Sequence, residues 1–391
     1  MSKVNLFAAY IDSIKGDLRE LSDAIWNNPE LAYKEFFAAK TAAALLEKLG
    51  YAVQTPCFGV DTAFTASYGS GAPCFAIFAE FDALPGIGHG CGHNLICAAA
   101  IGAFHAVVQQ LKAANIKGRV VLLGSPAEES GGGKIKMIEQ NCLDGIDAAM
   151  MVHPSYRTVP DTGSSAICRY DITFHGKEAH AAGAPELGIN ALSAVNLLFA
   201  GVNAYREHTP EFARMHGIIT DGGKAPNITP GTASCRFFLR STEQKWMQEI
   251  DKRFLDIVRG AELMTGATAE IEAFNTPYQA RIPNSALNRL YLEGVSALGL
   301  KYEIPKIGGR GSSDFGNVSQ RIPGIHPYFS IADHEISGHS EEFEAASGTD
   351  LAFENAMKAA SAMANAAFTY ISDVDFKQEV DADFAANRQR L

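Results

Sequence analysis

The sequence predicts an α/β protein: a mixed-sheet domain with helices on both faces, interrupted by an inserted ferredoxin-like α+β domain. Three observations support this prediction. Short apolar runs alternate with helical segments in the first part of the chain, which is typical of a buried sheet covered by helices. A block with the order β-α-β-β-α-β follows, and helices with one apolar strand return after it. The chain also has 391 residues, more than one hydrophobic core usually serves.

The first part of the chain supplies the larger domain's sheet. Two helices are predicted at 3–27 and 33–49, on either side of Pro29, a residue suited to a helix start. Strands follow at 51–69 and 74–82, where apolar and polar side chains alternate. After a turn, the predicted elements are an apolar-rich helix at 93–114, a buried strand at 118–125, a helix at 135–141 and a second buried strand at 147–153. Ligands of such sheets bind outside the carboxyl ends of the strands, so polar residues there are candidates for a site.

The pattern changes near residue 167. The ferredoxin-like order is given by strands at 167–176, 215–220, 233–240 and 268–274 and by helices at 189–208 and 243–265. We therefore assign 168–277 to the inserted domain, and 1–167 with 278–391 to the discontinuous catalytic domain. The latter is expected to finish with an apolar strand at 326–331 and an Ala-rich helix at 348–371. The polar stretch after residue 371 is expected to be loosely ordered or an appended tag.

Charge and cysteine usage narrow the class of protein. The formal net charge is −11, with Lys and Arg mixed among the acidic residues, which argues against nucleic acid as the main partner. The N-terminal segment contains acids and bases and no long apolar run, so neither a signal peptide nor a membrane span is expected. The seven cysteines are odd in number and scattered, which predicts no disulfide framework and a reducing, cytoplasmic setting.

The segment FAEFDALPGIGHGCGHNL, residues 78–95, carries the strongest functional signal. Cys91 and His93 lie two residues apart among glycines, which allow the backbone to turn tightly enough for both side chains to face one point. Thiolate and imidazole are common ligands of zinc and similar metals. Glu80 and Asp82 precede the turn on one face of a strand, so carboxylates, a thiol and imidazoles are expected to converge at one strand end. His89 is assigned to the surroundings of the site and not to the ligands.

Further candidates stand later in the chain, and each has an ordinary alternative. Glu128 and Glu129 follow a buried strand. One could bind metal while the other faces water as a general base, provided that the backbone bends, but two adjacent Glu residues in a loop usually form a solvated turn. His153 ends a strand and His339 lies in a polar loop, where each is more often a satisfied core residue or a surface residue. The glycines before Lys134 do not have the spacing of a phosphate-binding loop.

Three residues of the inserted domain also stand out. His180 lies among small residues after a strand, Asn227 lies in a proline-flanked turn, and Arg240 ends a strand. A helix-capping histidine, a turn asparagine and an edge charge are the ordinary explanations.

One series of motifs runs in order through nearly the whole chain: WNNPELAYKE, DALP with GHGCGHN, PAEE with GGGK, VHP, GKEAHAAG, NITP, SSDFGNVS with PGIHPYF, and GHSEEF. The series resembles the dimetal amidohydrolases, a family that includes aminoacylases, hippurate hydrolase, indoleacetyl-amino-acid hydrolases and aminobenzoyl-glutamate hydrolase. GIGHGCGHN, PAEESGGGK and SSDFGNVS with IHPYF are similar to one branch, the Xaa-Arg or β-alanyl-lysine dipeptidases together with the B subunit of aminobenzoyl-glutamate hydrolase.

The resemblance implies a site for two divalent metal ions, zinc in the first place, with manganese, nickel or cobalt as alternatives. Cys91 would bridge the two ions, and Glu128 would be the general base. The remaining ligands would be His93 and His153 on one ion and Glu129 and His339 on the other.

The resemblance also implies supporting residues. Asp82 would orient a ligand. His180 and Asn227 would bind the oxyanion and the substrate carboxylate, either in their own chain's site or in that of the partner in a homodimer formed through the inserted lid domain. Arg240 matches an arginine that ends a lid strand in relatives. Asn94 stands where many relatives have Asp after CGH.

The implied activity is hydrolysis of an amide bond in a small N-acyl amino acid or dipeptide-like substrate. The same machinery could instead deaminate an aromatic amine, because fold and ligands do not fix the leaving group. The chain could also be one subunit of an aminobenzoyl-glutamate-type assembly that needs a second chain. A metal-holding regulatory module would lack the base or a ligand, whereas Glu128 and all five ligand candidates are present here.

Overall fold

The computed structural model describes residues 3–306, 308–309 and 311–388. These residues form two compact units. The larger unit contains 3–163, 281–306, 308–309 and 313–388, and the smaller contains 164–280 with 311–312. The insert predicted at 168–277 falls inside the smaller unit.

The strands are β1 (Val53–Gln54), β2 (Phe64–Ser70), β3 (Cys74–Ala79), β4 (Gly118–Gly124), β5 (Ala148–Met150), β6 (His153–Ser155), β7 (Ala166–His175), β8 (Ala213–Asp221), β9 (Thr232–Ser241), β10 (Thr268–Ala273), β11 (Gly324–Ile325) and β12 (Tyr328–Ser330). The helices are α1 (Lys3–Asp12), α2 (Lys15–Asn27), α3 (Phe36–Lys48), α4 (His93–Ala114), α5 (Gly133–Glu139), α6 (Ala191–Arg206), α7 (Gln244–Thr265), α8 (Ser285–Ala297), α9 (Phe315–Ser319), α10 (Glu341–Ser347), α11 (Asp350–Ser372) and α12 (Val374–Arg388).

The larger unit is organised on a mixed six-stranded sheet in the order β1-β2-β4-β3-β5-β11. The β1–β2 and β2–β4 pairs are antiparallel, and the other pairs are parallel. All six residues of β3 are buried, because both neighbours are paired and both faces are covered. Phe75 and Ile77 enter the core that contains α4, while Ala76 and Phe78 enter a second core with Met137 of α5. The predicted α/β class, with a mixed sheet and helices on both faces, is confirmed.

Helix α4 forms the centre of the first core. It is long and apolar enough to cross a membrane by length and composition, but 89% of its most apolar window is buried inside the protein. Most of its residues pack against apolar side chains of the larger unit. The helix is therefore a core helix, which explains its near-continuous apolar sequence.

Two neighbouring segments of the main sheet continue beyond it as a separate pair of strands that carries polar residues. The segment predicted as one strand at 147–153 forms parts of β5 and β6, whereas the segment predicted at 326–331 contains β12 and is directly preceded by β11. β5 pairs with β11 in the main sheet, whereas β6 pairs with β12 in a separate parallel ribbon. In that ribbon His153 stands opposite Tyr328.

The expectation of a loose C-terminal stretch is wrong, because α12 is a helix of 15 residues. Val380 is fully buried, and its carbonyl accepts a hydrogen bond from the Asn284 side chain. Tyr370 donates to Asp381, and Arg289 pairs with Glu379. Long-range contacts made by a few residues therefore order a segment whose composition is polar.

The smaller unit has the order β7-α6-β8-β9-α7-β10 and an antiparallel sheet arranged β10-β7-β9-β8, as in ferredoxin-like folds. Its own core includes Phe174, Phe237 and Phe254. Strand β8 lies at one edge of this sheet. Ile218 and Ile219, on that edge strand, are 62% and 46% exposed.

Candidate metal centre

The larger unit brings together all five side chains predicted as metal ligands. The ligand atoms of Cys91, His93 and His153 lie within 4.8 Å of one another, and so do those of Cys91, Glu129 and His339. The thiol of Cys91 belongs to both clusters. The structure therefore contains two adjacent three-residue clusters that share one sulfur atom.

A left-handed glycine forms the turn between the two ligands of the first motif. Gly92 has φ +68° and precedes α4. A Cβ atom at this position would meet the Cγ atom of Pro154 at 2.8 Å. Glycine is therefore required both by the backbone angle and by the close approach of the segment that carries His153.

Hydrogen bonding defines which nitrogen of His93 faces the cluster. Nδ1 lies 3.0 Å from Oδ1 of Asp82, so Nδ1 carries the proton and donates. Nε2 is buried and has no hydrogen-bond partner among the described residues. It lies 3.7 Å from Oε1 of Glu129. A buried ring nitrogen without a hydrogen-bond partner is a position that a bound metal ion would satisfy.

Asp82 connects two of the clustered side chains. Its Oδ1 accepts from His93, and its Oδ2 accepts from the backbone N–H of Glu129 at 3.0 Å. Burial raises the pKa of Asp82, but the adjacent His93 outweighs this effect and the net pKa is lowered. Asp82 is therefore an ionised carboxylate that orients one imidazole and the backbone of one carboxylate residue.

His153 is held by a hydrogen bond and by ring contacts. Its Nδ1–H donates to the carbonyl oxygen of Pro154 at 2.7 Å, and its ring stands perpendicular to that of His93 at 5.7 Å. Burial and the neighbouring His93 together lower the pKa of His153 to about 3. The imidazole is therefore neutral, which is the form that binds metal.

The backbone bends at the residue directly before the two adjacent glutamates. Ala127 has φ +59°, a left-handed conformation that non-glycine residues rarely adopt. Its N–H donates to Oε1 of Glu35 at 2.9 Å. Glu35 is fully buried and also accepts from Tyr33 and Thr62. Sequence reasoning missed Glu35; the only local signal was its place in WNNPELAYKE.

Glu128 lies in a strongly anionic environment. Burial raises the pKa of its carboxyl well above the usual range, and the charges of Glu80 and Glu129 raise it further. Oxygen atoms of Glu80, Glu128 and Asp314 lie within 4.8 Å of one another. Lys134 contacts two of these three carboxylates. The sequence had placed Glu80 near the site, whereas Lys134 had been considered only as part of a phosphate-binding loop and Asp314 had been given no role.

The donor set fits divalent metal ions. Burial raises the pKa of the Cys91 thiol well above its usual range, and the charge of Glu129 raises it further. A bound cation would reverse this effect and favour the thiolate. A thiol, three imidazoles and a carboxylate are ligands that zinc and neighbouring metals accept.

Two polar neighbours of the turn have structural contacts instead. A ring nitrogen of His89 lies 3.1 Å from the carbonyl oxygen of Ile25. Asn94 donates to the Ser22 hydroxyl and to the Ser347 carbonyl oxygen. Both residues tie the start of α4 to other helices, so the Asn at position 94 does not disturb the ligand set.

The smaller unit brings His180 and Asn227 together at one loop cluster. The N–H of Ala181 donates to the carbonyl oxygen of Asn227 at 3.0 Å. Nδ1 of His180 accepts from the N–H groups of Ala182 and Gly183, so the ring proton is on Nε2. Both His180 and Asn227 are exposed.

Arg240 does not belong to that loop cluster. It lies near the other end of β9, about 27 Å along the strand from Thr232 at ~3.4 Å per residue. Its guanidinium donates to the Ser312 hydroxyl at 3.1 Å. Burial lowers its pKa, and the charge of Arg169 lowers it further.

A cavity of about 470 Å³ in the larger unit opens onto the clustered ligands. Among the cavity-lining side chains, Glu335 is the carboxylate, and it is exposed. The lining residues are Cys91, His153, Pro154, Ser155, Tyr156, Tyr328, Glu335, Ile336, Ser337, Gly338, His339 and Phe343. The cavity thus combines an aromatic wall with one anionic group beside the ligand clusters.

Comparison with known proteins agrees with this geometry. The sequence model of peptidase family M20/M25/M40 matches residues 76–366. Xaa-Arg dipeptidase of Mus musculus is 37% identical over 98% of this chain and 92% of its own length. The B subunit of p-aminobenzoyl-glutamate hydrolase from Escherichia coli is 35% identical over 74% of this chain and 64% of its own length.

Solved structures show the same fold at lower sequence identity. An aminobenzoyl-glutamate utilization protein from Klebsiella pneumoniae is 20% identical, with a TM-score of 0.70 over 94% of this chain and 98% of that one. A Bacillus subtilis protein described as a dinuclear metal-binding peptidase of the M20 family is also 20% identical, with a TM-score of 0.68 over 93% and 98%. The resemblance drawn from the motifs is confirmed: the chain belongs to peptidase family M20/M25/M40 and is a metal-dependent hydrolase that cleaves amide C–N bonds in small substrates.

Proposed function

We propose that the protein is a dimetal dipeptidase that cleaves the amide bond before a basic C-terminal residue. The observation that carries the proposal is the pair of ligand clusters that share the Cys91 sulfur, with Glu128 next to ligand Glu129. Identity of 37% to an Xaa-Arg dipeptidase over 98% of the chain supports the substrate class. The carboxylate of Glu335 in the adjoining cavity is a group with which a cationic side chain can pair.

Two divalent ions would be held by the side chains of the larger unit. Cys91 would contact both ions, with zinc as the first choice and manganese, nickel or cobalt as alternatives. Bound there, the ions supply polarisation of the scissile carbonyl and acidification of water. The ligands of one ion would be His93 and His153, and those of the other Glu129 and His339.

The chain's own residues would move the proton. Glu128 accepts a proton from the attacking water and delivers it to the nitrogen of the leaving amine, so the carboxylate is restored at the end of the cycle. The raised pKa of Glu128, caused by burial and by neighbouring carboxylates, favours both halves of this transfer. Asp82 keeps the His93 imidazole and the Glu129 backbone in place throughout.

Residues of the smaller unit would bind charge that develops on the substrate. The N–H at Nε2 of His180 is a donor suited to an oxyanion, because Nδ1 already accepts two backbone N–H groups. Asn227 would bind the substrate carboxylate. We propose that the chain forms a homodimer through the edge strand β8, where Ile218 and Ile219 expose apolar surface.

The test is a substrate comparison with purified, metal-loaded protein. Alanyl-arginine and β-alanyl-lysine should be hydrolysed at least about tenfold faster, by kcat/KM, than alanyl-leucine, since a hydrogen bond to a charged group is worth about 1.5–3 kcal/mol. Equal rates on all three dipeptides would contradict the basic-residue preference. Absence of amino-acid release from any dipeptide would contradict the dipeptidase proposal.

Aminobenzoyl-glutamate hydrolysis is the second candidate, because a hydrolase subunit from Escherichia coli is 35% identical to the chain. Release of aminobenzoate by this chain alone would favour that candidate. Release only after addition of a second chain would favour a two-subunit assembly. Ammonia without amino-acid release would indicate deamination.

A further inference from the structure

A buried lysine of the larger unit lies beside a cluster of three carboxylates that includes Glu128. The Lys134 side chain is fully buried. Its Nζ lies 2.5 Å from Oε1 of Glu80 and 2.6 Å from Oδ1 of Asp314. The backbone N–H of Lys134 also donates to Oδ2 of Asp314 at 3.0 Å. Asp314 is therefore held at both oxygens by one residue.

The three residues come from separate segments that converge at this point. Glu80 follows strand β3, Lys134 lies in the first turn of α5, and Asp314 precedes α9. The glycines before Lys134 permit this approach: a Cβ atom on Gly133 would lie 1.8 Å from the carbonyl oxygen of Pro126. The backbone at Gly133 therefore lies in close contact with the segment that directly precedes Glu128.

The carboxylates around Lys134 indicate what its ammonium group does. One oxygen each of Glu80, Glu128 and Asp314 lie within 4.8 Å of one another in the buried interior. Like charges at this distance repel strongly where water is excluded. An ammonium group bound to two of the three carboxylates offsets the repulsion and fixes their positions. The position of the third carboxylate, Glu128, then depends on where the other two are held.

Glu80 also reaches the ligand clusters. Its Oε2 lies 3.5 Å from Nε2 of His93 and has no hydrogen-bond partner in the described part of the chain. Lys134 holds the other oxygen of the same carboxylate. The lysine therefore restrains a carboxylate that lies near both Glu128 and Nε2 of His93.

We propose that Lys134 is a positioning residue for the hydrolytic reaction: by binding Glu80 and Asp314 it sets the place of the Glu128 carboxylate. The proposal rests on the proposed role of Glu128 as the base. The ammonium group acts through these carboxylates and makes no contact with substrate in this account.

The experiment compares Lys134→Met with a charge-balanced variant, Lys134→Met/Glu80→Gln. The single variant leaves buried carboxylates unpaired and is expected to lose stability or fail to fold. The double variant removes one positive and one negative charge, so its melting temperature should recover. Lys136→Met, an exposed lysine on the same helix, is the matched control and should behave as the wild type.

We expect kcat of the double variant to stay about 100-fold below that of the wild type, with KM within about twofold, because a displacement of about 1 Å at a catalytic group costs that much. A purely structural role predicts that kcat recovers together with stability, and that result would overturn the proposal. Metal content should remain that of the wild type. Loss of metal would also overturn the proposal, because Lys134 would then act on the ligands.

A readout without turnover separates this proposal from the proposed function. In crystal structures of the wild type and of the double variant, the Glu128 carboxylate should differ in position by about 1 Å. An unchanged Glu128 would overturn the positioning role, whatever substrate the wild type hydrolyses. A wild type without dipeptidase activity but with a displaced Glu128 in the variant would instead refute the proposed function alone.

Discussion

The two units hold their site residues in opposite ways. In the larger unit His93 is buried and fixed by the Asp82 carboxylate, which also binds the backbone of Glu129. In the smaller unit His180 and Asn227 are exposed, and the contact between their segments is a backbone hydrogen bond. The larger unit thus holds its site residues in fixed, buried positions. The loop of the smaller unit instead carries an exposed hydrogen-bond donor, His180. Substitution of Asp82 should therefore affect metal binding, whereas substitution of His180 should affect turnover alone.

The largest expected effect belongs to Glu128→Gln. The amide cannot accept the proton of water, so kcat should fall by about 10³-fold or more while the metal content stays that of the wild type. Steady-state kinetics with metal analysis of the same sample checks this prediction. Activity within tenfold of the wild type would remove Glu128 from the role of base.

His180→Ala tests the exposed side of the comparison. Loss of one oxyanion donor should lower kcat by about 10²-fold, with unchanged metal content and melting temperature. His175→Ala is the control, since His175 is also exposed in the smaller unit and pairs with Glu270 on the sheet surface. If both variants lose activity equally, the effect comes from the unit as a whole and not from the imidazole of His180.

Asp82→Asn tests the framework of the buried side. The amide keeps the shape but cannot serve as the charged acceptor for both His93 and the N–H of Glu129. Metal affinity should fall by about 10–100-fold, as is usual when a ligand's hydrogen-bond partner is lost. Competition with a chelator measures it. Unchanged affinity would show that His93 is oriented by packing alone.

The smallest effect concerns Glu35, which holds the bend at Ala127. Burial raises the pKa of Glu35 from 4.5 to about 7, so the folded protein binds this proton more tightly than the unfolded chain. The stabilisation of the folded state by protonation of Glu35 is therefore complete below pH 4.5 and is lost as the pH rises towards 7. The free energy of unfolding of the wild type, minus that of Glu35→Gln, should fall over this range. A difference that grows with pH would mean that the three hydrogen-bond donors outweigh burial.

The sequence was enough to predict structure that is formed by residues close together in the chain. The spacing of Cys91 and His93 among glycines predicted the turn, and α4 lies at the predicted residues. Glu128 and Glu129 required a bend, and the structure has one at Ala127, but the residue that holds it is 92 positions away. Such a contact leaves no pattern in either segment.

Ion pairs between residues far apart in the chain could not be predicted from the sequence. The sequence did not reveal the ion pairs of Lys134, because its partners Glu80 and Asp314 lie 54 and 180 residues away. Helix α12 was missed for a similar reason: its polar composition hides the single buried contact at Val380. Composition describes average exposure, whereas these features depend on which distant segment each residue meets.

The direct test of the shared-sulfur centre is a metal count on protein loaded with zinc and freed of excess by gel filtration. Inductively coupled plasma analysis should give about two ions per chain for the wild type, and Cys91→Ala should lose affinity for both, since both ligand clusters contain that sulfur. A wild type that is fully active with one ion or none, or a Cys91→Ala variant that keeps two tightly bound ions, would contradict the account.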